Sequence, residues 1–163
     1  MSVLLPGSYD PVTVGHLDII RRMAERESEV YVVAFINESK RYLFAECERL
    51  EMLRIATRGM PGVTVDLSHK TVVEYMREHG IGRIVKGYRD ERDLEWEHYQ
   101  AKYNMEHGGF ETELVLCREE MAGVSSTLVR ERLSAGEDIS PLVPYGVADY
   151  IYSLKKDINR KET

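Results

Sequence analysis

The chain has 163 residues, of which 43% are apolar and 31% charged, a composition suited to one folded domain with one site rather than to a disordered polymer. Its formal charge of 22 − 28 = −6 excludes a surface built to grip nucleic-acid phosphates over many base pairs. No run is apolar enough to span a bilayer and the first residues lack the pattern of a secretory signal, so neither a membrane nor a nucleic-acid partner is expected, and a cytoplasmic location is.

In chain order, Val3–Leu5 is a short apolar run of strand type that ends at Pro6-Gly7. Leu17, Ile20, Met23 and Ala24 then recur at helical spacing, and Val30–Ile36 is a second strand. Asn37 to Ala45 is the longest irregular piece and carries Lys40 and Arg41. Leu50, Leu53, Ile55 and Ala56 mark the next helix, Val63–Leu67 a strand, Val72, Val73 and Met76 a helix, and Arg83–Val85 a strand. Trp96, Tyr99 and Tyr103 share one face of a helix after Arg92, and Leu114–Cys117 is the last strand. Helices follow from about Ser126 to Ala135, closed by Gly136, and from Pro141 to Leu154, opened by the proline. Cys47 and Cys117 lie far apart outside any CxxC pattern, so both are expected as reduced residues in or near the core.

Strands alternating with helices predict an α/β fold: a single Rossmann-like domain over 1–155, with a five-stranded, mostly parallel sheet, helices on both faces and a helical C-terminus, followed by a polar tail over 156–163. In such sheets ligands bind beyond the carboxyl ends of the strands. Gly7–His16, Asn37–Phe44, Ser68–Thr71 and Lys86–Arg92 all follow strands, so these segments should converge on one edge.

Neither GxGxxG nor GxxxxGK[ST] is present, which removes the two commonest phosphate cradles. The opening loop instead combines Ser8, Asp10-Pro11, Thr13, Gly15 and His16 at a helix start, where unpaired N–H groups and the positive dipole end attract anions. Read as structure only, Ser8, Asp10 and Thr13 are turn and cap residues. The order Gly7-Ser8-Tyr9-Asp10-Pro11, Thr13, Gly15-His16 directly after a first strand resembles the [HT]xGH signature of the nucleotidyltransferase superfamily. Val124-Ser125-Ser126-Thr127-Leu128-Val129-Arg130 is similar to its ISSTxxR segment, and three successive hydroxyls exceed what a helix cap needs. With the Ser39-Lys40…Leu43-Phe44 loop, Gly87-Tyr88-Arg89, Asp93-Leu94-Glu95-Trp96-Glu97 and Asn104, the resemblance points to the phosphopantetheine adenylyltransferase family and runs from Leu4 to about Leu154.

The resemblance implies transfer of AMP from ATP to 4′-phosphopantetheine, giving dephospho-coenzyme A and pyrophosphate. It implies that ATP is bound by Ser8, Tyr9, His16, Gly87, Tyr88, Arg89, Glu97 and Met121, Ala122, Gly123, Val124, Ser125, Ser126 and Thr127. The acceptor would touch Ser8, Lys40, Val72, Lys86 and Asn104, and His16, Lys40 and Arg89 would act in catalysis. Chemically, Arg89 offers a fork for phosphate, Lys40 a point charge, and Glu97 an acceptor for ribose or adenine donors. The plain alternatives are a surface ion pair for Glu97 and a core role for Val72. Mg²⁺ is expected to arrive with the phosphates of ATP, with no metal site in the chain itself, and a homohexamer is implied. The family pattern has Arg where this chain has Lys86, which keeps the charge and loses the planar fork. Val14 also departs, at a position where Asn or Leu is usual. The rival expectations are another nucleotidyltransferase, acting on nicotinate mononucleotide or a polyol phosphate, and a nucleotide-sensing module without turnover. A fragment of a class I aminoacyl-tRNA synthetase fits poorly, since no KMSKS-like segment is present.

Overall fold

The computed structural model describes the backbone of residues 1–161 and the side chains of residues 1–154. Strands β1 (Ser2–Gly7), β2 (Glu29–Phe35), β3 (Val63–Ser68), β4 (Arg83–Tyr88) and β5 (Glu111–Leu116) alternate with helices α1 (Val14–Arg26), α2 (Glu46–Ala56), α3 (Val72–His79) and α4 (Glu91–Gly108). Helices α5 (Ser126–Ser134) and α6 (Val147–Lys161) follow. Part of the expected tail, 162–163, lies outside the described residues.

The sheet order is β3-β2-β1-β4-β5 and every pairing is parallel, so the sheet is wholly rather than mostly parallel. Side-chain alternation explains the two-sided cover. Val3 and Leu5 of β1 enter one cluster with residues of α1, α2, α5 and α6, whereas Leu4 enters a second with Val33, Ile84 and Tyr75 and Met76 of α3. Each such side chain stabilises by ~1.5–3 kcal/mol, and a one-residue slip would turn every one of them to the wrong face. The outer strands β3 and β5 are mostly half-buried, so full cover on both faces holds only for the central strands.

Four expectations are corrected. Pro141 does not open the last helix: it sits in a separate 3₁₀ turn, Ser140–Leu142, and α6 starts only after Gly146, whose φ of +87° breaks the helical path. Cys47 is exposed, in the first turn of α2, while Cys117 is half-buried. On α2 the buried row is Arg49, Met52 and Leu53, with Leu50 only partly covered. Tyr75, which the pattern over Val72–Met76 missed, is a core residue.

The order places β1 between β2 and β4, the point at which the direction of winding reverses and where such sheets bind ligands. β1 keeps its pairing with β2 through Gly7 but pairs with β4 only at Val3↔Arg83 and Leu4↔Ile84. Beyond Leu4 the two central strands part, and Pro6 removes one ladder donor there. The gap between Leu5–Gly7 and Val85–Gly87 is where the cavities lie.

Candidate active site

Two adjoining cavities open at this gap, of about 340 and about 350 Å³, and they share Pro6, Gly7, Ser8, Lys86 and Glu97. The first is walled by the opening loop, β4, the start of α1 and the start of α5; the second by the 37–45 loop and the inner face of α4. This arrangement explains why α4 has no buried residue: Trp96, Glu97, Gln100, Ala101 and Asn104 face an open cavity instead of packing on the sheet.

His16 illustrates how local sequence builds the first cavity. Thr13 caps α1, accepting the His16 N–H at 3.3 Å, and the His16 ring returns the favour by accepting the Thr13 N–H at Nδ1, at 2.9 Å. An Nδ1 that accepts from an amide carries no proton, so the proton of the neutral imidazole sits on Nε2. That donor is left for the cavity His16 lines. Burial, then the Lys86 and Arg89 charges, lower the His16 pKa to about 4, so the ring is neutral at pH 7.

Tyr9 has φ of +48° and its ring is buried; the hydroxyl donates to the Leu5 carbonyl at 2.8 Å and the ring meets His16 edge-on, 4.9 Å between centroids. A Cβ at Gly7 would lie 3.1 Å from this ring, so Gly7 is held small by Tyr9. Gly15 differs, since a Cβ there would meet only Thr13 Oγ1 at 3.5 Å; nothing in the protein itself demands glycine at that place.

At the other wall, the three hydroxyls all have partners inside the protein. Ser125 caps α5 by accepting from Leu128 N–H, Ser126 donates to the Pro11 carbonyl at 2.7 Å, and Thr127 accepts from Arg130. One of the three, Ser125, serves as the cap; Ser126 and Thr127 are therefore additional to it, as expected, and each also meets a partner within the protein while lining the first cavity. The groups left over are the N–H of Ser126 and Thr127, which no carbonyl within the helix can reach. With Val14 and Gly15 N–H at the start of α1, two helix N-termini meet at one cavity. Arg89 adds its guanidinium, held by Asp93 through Nε at 2.8 Å, which fixes the fork before any ligand enters.

Of the residues expected at ATP, all line the first cavity except Ala122 and Gly123, which sit in the turn behind Met121. Those expected at the acceptor, Ser8, Lys40, Val72, Lys86 and Asn104, all line the second. Lys40 Nζ stands 3.4 Å from Ser8 Oγ. Val72 does both things considered for it, packing against the second core cluster and lining the cavity. Glu97 is in an ion pair with Lys86 at 3.5 Å, but not a surface one: its side chain is 12% exposed and Oε2 is buried without a partner. Sequence reasoning missed Asp93, Cys117, Trp96 and Gln100 as lining residues; only the i, i+4 spacing of Arg89 and Asp93 gave a signal. Among the described residues no helix is long and apolar enough to cross a membrane, and no cluster of three metal-ligating side chains occurs.

A family model described as Cytidylyltransferase-like matches residues 4–132. The chain is 41% identical over 149 residues to a protein of Corynebacterium glutamicum (strain R) named phosphopantetheine adenylyltransferase, covering 91% of this chain and 93% of that protein. A Thermobifida fusca protein of the same name is 38% identical over 159 residues, with 98% and 97% covered, and a Symbiobacterium thermophilum one 42% identical over 145 residues, with 88% and 90% covered.

Proposed function

We propose, starting from the fact that this chain belongs to the cytidylyltransferase-like family and within it to the phosphopantetheine adenylyltransferases, that it moves AMP from ATP to 4′-phosphopantetheine, releasing dephospho-coenzyme A and pyrophosphate. The observation that carries this reading is the pair of adjoining cavities with a common boundary at Ser8, Lys86 and Glu97. One suits a triphosphate, the other a second anionic substrate, and the boundary lets them meet.

In this reading the acceptor phosphate attacks the α-phosphorus in line; the new P–O bond forms as the bond to pyrophosphate breaks. The acceptor is already an anion, so the protein aligns the two substrates and neutralises charge rather than supplying a base. His16 Nε2–H and Lys40 Nζ meet the charge that grows on the α-phosphate. Arg89 and the N–H groups of Ser126 and Thr127 hold the leaving pyrophosphate. Tyr9 contributes through its backbone, because its ring and hydroxyl are committed to the core. Magnesium would arrive with ATP and help neutralise its phosphates; the two carboxylates of the first cavity, Asp93 and Glu97, are each paired to a cation, so no side chain there would be needed to hold it. We read the protein as cytoplasmic and as a homo-oligomer, a hexamer by family resemblance; the exposed Tyr99 and Tyr103 of α4, beside the second cavity rather than in it, support self-association.

Mass detection of product across a grid of ATP or CTP against phosphopantetheine, nicotinate mononucleotide and a polyol phosphate tests the reading. Dephospho-coenzyme A from ATP and phosphopantetheine is expected. Product with another acceptor alone, or ATP binding with no product on any acceptor, would overturn it.

A further inference from the structure

Among the described residues, the two charged side chains that are buried are Asp10 and Arg49, 4% and 1% exposed. A buried charge is costly unless its hydrogen bonds are met. Here they are met by the backbone of particular segments. The Asp10 carboxylate accepts the N–H of Leu43 at 2.8 Å and of Phe44 at 3.0 Å, one on each oxygen, and Arg130 lies 3.9 Å from it. The Arg49 guanidinium donates to the Phe44 carbonyl at 3.2 Å and the Ser8 carbonyl at 3.1 Å. Its flat face covers the Tyr42 ring at 3.9 Å, and the Tyr42 hydroxyl accepts the Asn37 N–H at 2.9 Å. The Leu43-Phe44 end of the loop is thereby tied to Asp10 directly and to Ser8 through Arg49, and the Asn37 end is tied back through Tyr42 and Arg49, while residues 37–41, Lys40 among them, stay exposed.

We infer that Asp10 and Arg49 are positioning residues for Lys40: they fix the loop against the opening strand so that the Lys40 ammonium stands over Ser8, at the boundary of the two cavities. This inference rests on the function proposed above. A side chain as long as lysine, on a loop with no helix or strand to hold it, can misplace its charge by several ångströms, and a displacement of about 1 Å at a reacting centre can lower the rate by about 10²-fold. The clamp removes that freedom at the base of the loop. Neither residue lines either cavity, so both act through others.

The test is Asp10→Asn and Arg49→Met, each made in the wild type and in a Lys40→Ala background. In the wild type each is expected to lower kcat/KM for the acceptor by about 10- to 100-fold while the calorimetric Kd of ATP stays within about threefold; with Lys40 absent, either change should cost less than about threefold more. Equal losses in both backgrounds, or ATP binding that weakens in step with acceptor use, would overturn the inference. Trypsin cleavage after Lys40 and Arg41 reads the loop without turnover and is expected about tenfold faster in both variants; unchanged cleavage sinks the clamp even if the wild type makes no product, an outcome that by itself sinks only the proposed reaction. Tyr42→Phe, which deletes just the hydroxyl tied to Asn37, gives a milder version of the same pattern should the first two fail to fold, and its absence there counts against the clamp.

Discussion

Replacing His16 by alanine is expected to lower turnover on the order of a hundredfold, about 3 kcal/mol, with little change in ATP affinity. Thr13 N–H occupies Nδ1, so the neutral ring has one donor, Nε2–H, in a partly buried wall that two helix N-termini and the Arg89 guanidinium also line, the groups proposed above to hold the triphosphate. Ground-state binding has many contributors, but the imidazole is the donor placed to gain as negative charge builds on the α-phosphate. Removing it should therefore act on kcat, read by pyrophosphate release at saturating ATP, with ATP affinity measured separately by calorimetry. Unchanged turnover would take His16 out of the mechanism. His16→Gln, which can still present an N–H, should recover part of the loss.

The same geometry gives a pH dependence with a definite sign. The folded His16 pKa is lowered from 6.5 to about 4, chiefly by burial and then by Lys86 and Arg89. As pH falls below about 6.5 the unfolded chain takes the proton first, while the folded ring stays neutral. The stability that depends on neutral His16 is thus complete above about 6.5 and is lost as the pH falls to about 4. Protonation would also turn Nδ1 into a donor facing the Thr13 N–H, breaking the capping box. Tm measured from pH 8 to 4 should drop more steeply in the wild type than in His16→Gln; parallel curves would show that the ring does not titrate in this way.

What the chain made legible follows from locality. Apolar runs bounded by glycine and polar turns gave all five strands, and the loops after them could be sent to one edge because parallel strands share a direction. Thr13 as a cap was also legible, being a hydroxyl at a helix start; the return bond from the His16 ring was not, because a capping box ordinarily closes with Glu or Gln at that place. Nor was Arg49. A charged residue on a helix reads as solvent-facing, and it is buried only because Ser8 and Phe44, brought in from other segments, present carbonyls to it. Asp10 misled in the same way: it stands where a turn residue belongs, yet its carboxylate reaches the backbone at Leu43 and Phe44. The Ser125–Thr127 hydroxyls read from the sequence as more than a cap needs; that Ser126 is engaged by the Pro11 carbonyl was not legible, because Pro11 comes from a segment 115 residues away. For Pro141 a helix-opening rule was right in kind and wrong in place, because Pro144-Tyr145-Gly146 intervenes before α6.

Lys86→Met is expected to lower kcat/KM for the acceptor on the order of a hundredfold and to destabilise the fold as well. The Lys86 ammonium pairs with Glu97 at 3.5 Å, and both residues line both cavities. Removing one partner of a largely buried pair costs about 2–5 kcal/mol, much of it from the charge left behind. Burial already raises the Glu97 pKa and Lys86 opposes that rise. Without the ammonium the carboxyl moves further up, so the variant should lose stability as pH rises through that raised value and regain it in acid. Adding Glu97→Gln separates the two effects: the uncharged amide should restore most of the Tm and remove its pH dependence, while the acceptor defect is expected to stay, the proposed role of the missing cation being to meet the acceptor phosphate. If the double variant recovers acceptor use along with Tm, Lys86 serves only to neutralise Glu97. Lys86→Arg completes the series, keeping the charge and adding a planar fork that can reach Glu97 and a phosphate at once. Its acceptor KM is expected to be equal to or below that of the wild type; a large increase would mean that the cavity is shaped around the narrower lysine.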